Sequence, residues 1–121
     1  MEGLKIAEGE YKFACIVWDN EPVKSTELVK LSFEKLGWKK ATVYTVLRKL
    51  CLKGILKNEN AVVTSLVKRE EVQMIESRLI VERSFNNSLP AFLSAFLKDR
   101  KLNFEEAEEI KRIIEEACDD N

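Results

Sequence analysis

The sequence contains no histidine, only three cysteines and no long hydrophobic segment. The lack of histidine excludes imidazole general acids and bases, Ser-His and Cys-His nucleophiles, and most transition-metal sites. The cysteines are three, an odd number, and lie far apart in the sequence, at Cys15, Cys51 and Cys118. This pattern indicates neither a disulfide framework nor a zinc site. We therefore expect reduced thiols, no metal, no cofactor and no enzymatic activity.

Membrane and secretion signals are also missing. No apolar run approaches the roughly 18 residues that a membrane span needs. The first residues lack the basic and then apolar pattern of a signal peptide. We expect a cytoplasmic protein without a membrane partner. Four glycines and two prolines are too few for a loop-dominated or disordered chain, so a small globular fold is expected.

The charge is close to balanced overall, at −1, but it is unevenly distributed. Residues 1–70 carry 13 Lys and Arg against nine Asp and Glu, whereas residues 71–121 carry seven against twelve. The segment 39–53 has five basic residues and no acidic one. Distribution matters more than the sum for nucleic-acid binding, so the N-terminal half is the candidate for a phosphate-contacting surface.

Apolar spacing and turn residues predict the order of the elements. We expect helices at 8–18, from an N-cap at Ser25 or Thr26 to Leu36, where a left-handed Gly37 ends the helix, and at 39–53, then two short strands within 55–65. Helices at 68–86, from Leu89-Pro90 to a break at 101–103, and at 104–118, with Asn103 as N-cap, follow. Three helices and a hairpin predict a mainly α, winged helix-turn-helix domain at 1–67. The rest, 68–121, is predicted to be a helical dimerisation domain.

The third helix is the strongest functional candidate. Val43, Val46, Leu47 and Leu50 are predicted to share its buried face, while Ala41, Tyr44, Thr45 and Arg48 point away. A recognition helix needs such a second face, free of acidic residues, for the major groove of double-stranded DNA. Thr45 suits a base edge or a thymine methyl group, and Arg48 suits guanine or a phosphate. The expected phosphate contacts are Lys39, Lys40, Lys49 and Lys53.

The predicted tail helices carry apolar side chains at helical spacing, with little else in the chain to cover them. Core or interface packing explains these residues better than a ligand pocket, and three apolar faces in such a short segment favour a homodimer. The expected dimerisation residues are Leu79, Leu89, Phe92, Leu93, Phe96, Leu97, Phe104, Ile110 and Ile114.

The hairpin is a weaker candidate for DNA contact, because its tip is Asn58-Glu59-Asn60 with only Lys57 beside it. A hairpin that merely covers the core is the simpler interpretation. The non-basic hairpin and the acidic tail also keep a second hypothesis open, in which the chain is a winged-helix protein-interaction module, an antirepressor or adaptor that does not bind DNA.

Several motifs together resemble the penicillinase-repressor family. Trp18, Pro22-Val23, Gly37-Trp38, the run from Thr42 to Leu47, Leu50 and Lys53-Gly54 match the pattern of its winged-helix domain. The segment from Phe85 to Glu116 is similar to its dimerisation segment, so the resemblance extends over about residues 7–117. The resemblance implies a homodimeric repressor of dyad-symmetric operators, with Thr42, Tyr44, Thr45 and Arg48 on the DNA-facing helix.

Two departures from the family pattern concern regulation. Members of the β-lactam type are inactivated by cleavage of an Asn-Phe bond in the tail, where this sequence has Ala95-Phe96. The resemblance suggests a sensor protease as a partner in the same pathway, but this replacement argues against that route of induction. Copper-responsive members end in a cysteine-rich motif, whereas this tail has only Cys118, which argues against copper sensing.

Overall fold

The computed structural model describes residues 5–118 and has the predicted order of elements. The helices are α1 (Glu8–Asn20), α2 (Ser25–Leu36), α3 (Lys40–Leu52), α4 (Arg69–Ser84), α5 (Leu89–Leu97) and α6 (Phe104–Ala117). The strands are β1 (Val23–Lys24), β2 (Leu56–Glu59) and β3 (Val62–Ser65). Three helices followed by a hairpin confirm the predicted mainly α, winged helix-turn-helix fold with a helical C-terminal segment.

The hairpin of β2 and β3, which we call the wing, belongs to a three-stranded antiparallel sheet in the order β1-β3-β2. Strand β1 was not predicted, because it has only two residues. It pairs Val23 with Val63 and Lys24 with Val62. The wing therefore joins the segment that leads directly into α2.

The start of α2 differs from the prediction. Ser25 and Thr26 were expected as N-caps, but the N-cap is Lys24, which makes no side-chain capping bond, and Ser25 is the first helical residue. The Ser25 amide donates to the Ala61 carbonyl oxygen at 2.9 Å, across the sheet. The wing thus accepts a hydrogen bond from one of the first helical amide groups, which have no partner within the helix. At the other end, Gly37 adopts the predicted left-handed conformation, with φ 71°.

Among residues 5–118, all buried apolar side chains lie between Phe13 and Val72. The described residues group into two compact units that divide between Leu79 and Ile80, so the first unit continues past residue 67, where the sequence placed its end. Its continuation is packed: Val72 is fully buried, and Arg69 lies 2.6 Å from Asp19 and over the ring of Trp18. The core side chains are Phe13, Ala14, Ile16, Val17, Val23, Leu28, Val43, Leu47, Leu50, Ile55, Leu56, Val63, Val67 and Val72.

The second unit contains α5 and α6, and each of these helices begins at a predicted signal. Ser88 accepts a hydrogen bond from the Ala91 amide, and Pro90 lies in the first turn of α5. Asn103 accepts from the Glu106 amide at the start of α6. Phe92 packs edge-on against Phe85, with ring centroids 5.4 Å apart. Within the described part of this unit no side chain is buried.

Candidate nucleic-acid interface

Helix α3 is held in the first unit by its apolar face. Val43 and Leu50 are fully buried and Leu47 nearly so, as predicted, while Val46 is half-buried. Just before the helix, Trp38 stacks on Phe13 with ring centroids 6.0 Å apart. These contacts fix the rotation of α3 and leave its other side open to solvent.

The open side of α3 carries small, polar and basic residues. Thr42, Thr45 and Arg48 are exposed, and so are four lysines, of which Lys53 follows the last helical residue. Arg48 has no carboxylate within salt-bridge distance among residues 5–118. The same is true of Lys39, Lys40 and Lys49. The structure therefore presents four basic side chains without a salt-bridge partner among the described residues, although Lys49 lies close enough to Glu10 to help lower the pKa of that carboxyl.

The N-terminal end of α3 adds to this positive surface. Its N-cap, Lys39, makes no side-chain capping bond, and the first turn has no acidic residue. The first amide groups of a helix and the positive end of its dipole attract anions. Lys39 and Lys40 flank that end, where two cations cost stability unless an anion approaches. This end of α3 is thus suited to a phosphate group.

Only part of the Thr45 side chain is available for contact with a ligand. Its hydroxyl donates to the Ala41 carbonyl oxygen at 2.9 Å, within the helix. This bond fixes the side-chain rotamer and occupies the hydroxyl proton. The exposed methyl group and the remaining oxygen lone pairs are what Thr45 offers to a ligand.

Tyr44 does not lie fully on the open side, which corrects the predicted division of the helix. It is half-buried and packs against the apolar core, and its hydroxyl is 3.5 Å from the Ser25 Oγ. The large ring reaches around the helix to the start of α2. Residue spacing along α3 alone does not reveal this contact. Only the edge of Tyr44 remains accessible.

Lys53 differs from the other predicted phosphate contacts because it is already paired. Its Nζ lies 2.7 Å from Glu10 Oε1 and donates to the Lys5 carbonyl oxygen at 2.8 Å. Burial acts to raise the pKa of Glu10, but hydrogen bonds from Lys53 and from the Ala7 amide outweigh it and hold that pKa below its ordinary value. Lys53 therefore links α3 to the start of α1.

The wing carries no unpaired basic residue. Lys57 lies 3.1 Å from Glu59 on the same strand, and the turn residues Asn60 and Ala61 both have positive φ angles, 53° and 64°. Asn58, to which the sequence analysis assigned no role, lines a cavity between β2 and α3 together with Tyr44 and Arg48. Strand alternation, which places Asn58 on the same face as Leu56, is the sequence signal that could have indicated it.

The residues predicted for dimerisation carry exposed apolar surface. Leu89, Phe96, Phe104 and Ile114 are among the exposed large hydrophobic residues, with Phe104 77% accessible. The other five, Leu79, Phe92, Leu93, Leu97 and Ile110, are half-buried. Exposed aromatic and aliphatic side chains in one small unit are typical of a surface that another polypeptide covers.

The described residues offer neither a membrane span nor a metal site. None of the helices within residues 5–118 is long and apolar enough to span a bilayer. The same residues contain no group of three acidic or cysteine side chains arranged to hold a metal ion.

Comparison with known proteins identifies the family. The model of the penicillinase repressor family matches residues 6–116. The chain belongs to this family. A penicillinase repressor of Bacillus licheniformis is 24% identical over 116 residues, which cover 93% of this chain and 91% of that protein.

Two solved structures related to the penicillinase repressor family resemble part of the chain. One is the solution structure of monomeric Bacillus licheniformis BlaI in complex with the blaP half-operator, with a TM-score of 0.49 and 22% identity, covering 56% of this chain and 88% of that one. The other is the solution structure of the DNA-binding domain of the repressor BlaI, also with a TM-score of 0.49 and 22% identity, covering 55% and 87%.

Proposed function

We propose that this member of the penicillinase repressor family is a transcriptional repressor that binds dyad-symmetric operator DNA as a homodimer. Helix α3 is the recognition helix and enters the major groove. The observation that carries the proposal is the open side of α3, where Arg48 and three lysines have no acidic partner among residues 5–118. The family match and the name of the Bacillus licheniformis relative, a repressor, support the same function.

The DNA-contacting residues follow from exposure and charge. Thr42, Thr45 and Arg48 face the base edges or the adjacent backbone, with the accessible edge of Tyr44 beside them. Lys39, Lys40 and Lys49 contact phosphates and fix the position of the helix on the duplex. Lys53 contributes less than these three, because it is held by Glu10.

Titration of binding with salt tests the DNA-binding part of the proposal. Each lost phosphate contact should reduce the slope of log affinity against log salt concentration by about one. We expect this for Lys49→Gln, measured by fluorescence anisotropy on random duplexes. Lys98→Gln, the same charge change on an exposed residue of the second unit, is the control and should leave affinity and slope unchanged.

Two outcomes would reject this function. One is the absence of binding by the wild-type protein to any duplex at low salt. The other is an equal loss for Lys49→Gln and Lys98→Gln. Capture of a protein partner together with undetectable DNA binding would instead favour the interaction-module hypothesis.

The homodimer rests on the apolar surface of the second unit. Phe96 in α5 is 51% accessible, and no residue of this helix is buried. We expect Phe96→Glu to shift the protein from dimer to monomer in analytical ultracentrifugation. It should retain affinity for one half-site and lose most of its affinity for the full dyad. Phe33→Glu, at an exposed phenylalanine of the first unit, is the matched control and should stay dimeric.

The same surface bears on the proposed sensor protease. Ala95-Phe96, which replaces the cleaved Asn-Phe bond, lies inside α5, where every peptide bond is in a helix. A helical bond must unwind before a protease can cut it, so we propose that induction does not proceed through this bond. Incubation of the protein with lysate from cells exposed to a β-lactam, followed by mass spectrometry, tests this; a cut at residue 95 would refute it.

A further inference from the structure

A cavity of about 350 Å³ separates α3 from the first strand of the wing. It opens beside Arg48, on the side of α3 that carries the proposed DNA contacts. Its lining residues are Tyr44, Leu47, Arg48, Cys51 and Asn58. The cavity therefore combines one unpaired cation from α3 with one amide residue from the wing.

Strand register determines how Asn58 faces this cavity. Residues alternate between the two faces of a strand, so Asn58 shares a face with Leu56, which is buried. Its partner across the hairpin is Val63, which is fully buried. Lys57 and Glu59 lie on the opposite face, where they pair with each other. Asn58 is itself exposed, so its side chain is accessible to a ligand from solvent.

The cavity wall favours an anion. The guanidinium of Arg48 and the amide of Asn58 are hydrogen-bond donors, and no carboxylate lines the cavity. Burial raises the pKa of the Cys51 thiol, even though the Asn58 backbone amide donates to its sulfur. The thiol is therefore neutral at physiological pH and does not repel negative charge.

We propose that this cavity binds one phosphate of the DNA backbone, with Arg48 and Asn58 as its two hydrogen-bond donors. The inference rests on the proposed DNA-binding function and deepens it. It assigns Arg48 to a phosphate rather than to guanine, and it gives the wing a contact through a neutral amide instead of a basic side chain. The wing and the recognition helix then contact the same strand of the duplex, at one phosphate.

Two aspartate substitutions of equal charge separate a phosphate site from a general electrostatic effect. Asn58→Asp places a carboxylate in the cavity, and Asn60→Asp places one at the wing tip, two residues away. Asn60 has a positive φ that Asp also tolerates, so both variants should fold, which thermal denaturation verifies. We expect affinity for every duplex to fall at least about tenfold for Asn58→Asp. For Asn60→Asp it should fall less than about threefold, because exposed charges are screened by salt.

Neutralised phosphates identify the contact directly. A single methylphosphonate, which lacks the phosphate charge, is moved along each half-site, and the affinity of wild type and Asn58→Ala is measured at each position. One position should weaken the wild type several-fold more than it weakens Asn58→Ala, because the variant has already lost one of its two hydrogen bonds to that phosphate and keeps only the Arg48 contact. Asn58→Ala should keep the wild-type salt slope, since it removes no charge, whereas Arg48→Gln should lower it by about one.

The results distinguish this inference from the function on which it rests. Absence of DNA binding by the wild type rejects both. DNA binding with equal losses for Asn58→Asp and Asn60→Asp, or with no phosphate position at which the methylphosphonate weakens Asn58→Ala less than the wild type, overturns the phosphate site alone. Movement of the Arg48 and Asn58 nuclear magnetic resonance signals by inorganic phosphate but not by DNA would assign the cavity to a free anion and also overturn it.

Discussion

Lys53 Nζ lies 2.7 Å from Glu10 Oε1, which joins the end of α3 to the first turn of α1. Among the described residues of the first unit, Glu10 is the only charged residue that is buried, at 8% accessibility. Removing one partner of such a pair leaves a charge with little access to water. The pair therefore has a structural role in addition to any contact Lys53 makes with DNA.

Substitution of two lysines should separate stability from DNA affinity. Lys53→Gln should lower the free energy of unfolding by about 1–2 kcal/mol, because Glu10 loses its partner. Lys49→Gln should lower stability less than Lys53→Gln, because Lys49 attracts Glu10 without a hydrogen bond, and it should reduce DNA affinity more than Lys53→Gln does. Urea denaturation and anisotropy on the same preparations measure both effects. A larger affinity loss for Lys53→Gln would show that the pair opens on the duplex.

The Glu10 carboxylate should make stability depend on acid pH. The folded protein holds its pKa below the ordinary value of 4.5. A lowered pKa stabilises the fold above pH 4.5, and this contribution disappears as the pH falls through the folded value. Glu10→Gln should thus be less stable than wild type at pH 7, by about 1 kcal/mol, and the difference should shrink below pH 4. A difference that stays constant from pH 7 to pH 3 would contradict this.

Replacement of Ala61 by glycine should stabilise the folded protein. Its φ of 64° is in the left-handed region, which disfavours residues with a Cβ atom. Ala61→Gly should raise the free energy of unfolding by roughly 0.5–1 kcal/mol, measured by urea denaturation. The control is Ala91→Gly in α5, at a right-handed helical position. This substitution should lower the free energy of unfolding by a similar amount. Destabilisation at both positions would mean that the wing turn tolerates alanine without strain.

Ser32 offers a second stabilising substitution. Its hydroxyl is fully buried in α2 and has no hydrogen-bond partner among the described residues. Ser32→Ala should raise stability by about 1 kcal/mol or more, since it removes an unpaired polar group and improves helix propensity. Ser77→Ala, at an exposed position of α4, is the control: it gives the same gain in helix propensity but removes no unpaired hydroxyl, because the Ser77 hydroxyl donates to the Met74 carbonyl oxygen. A gain no larger at Ser32 than at Ser77 would indicate that the buried hydroxyl costs nothing.

Local signals predicted the elements well, because they act within a few residues. The left-handed Gly37, the Asn103 cap and the apolar face of α3 are all where the sequence placed them. The failures involve partners far apart in the chain. Strand β1 exists only because β3 pairs with it, and the amide of Ser25 is satisfied by Ala61 rather than by a cap.

The candidate interface shows the same limit. Charge and helical spacing identified Arg48 and its neighbouring lysines, but they could not show that Lys53 is paired with a glutamate 43 positions earlier. They also placed Tyr44 on the open side, since they could not anticipate that its ring reaches α2. Asn58 was missed because its significance comes from the cavity it shares with another element.

The confinement of the core to residues between Phe13 and Val72 has a practical consequence. A fragment that stops after Leu79 keeps every buried apolar side chain, together with the bonds that Arg69 and Gln73 make to α1. Such a fragment would be a self-sufficient monomeric reagent for half-site studies. One that stops at residue 67 would expose Trp18 and lose Val72, so cloning at that earlier point would yield an unstable product.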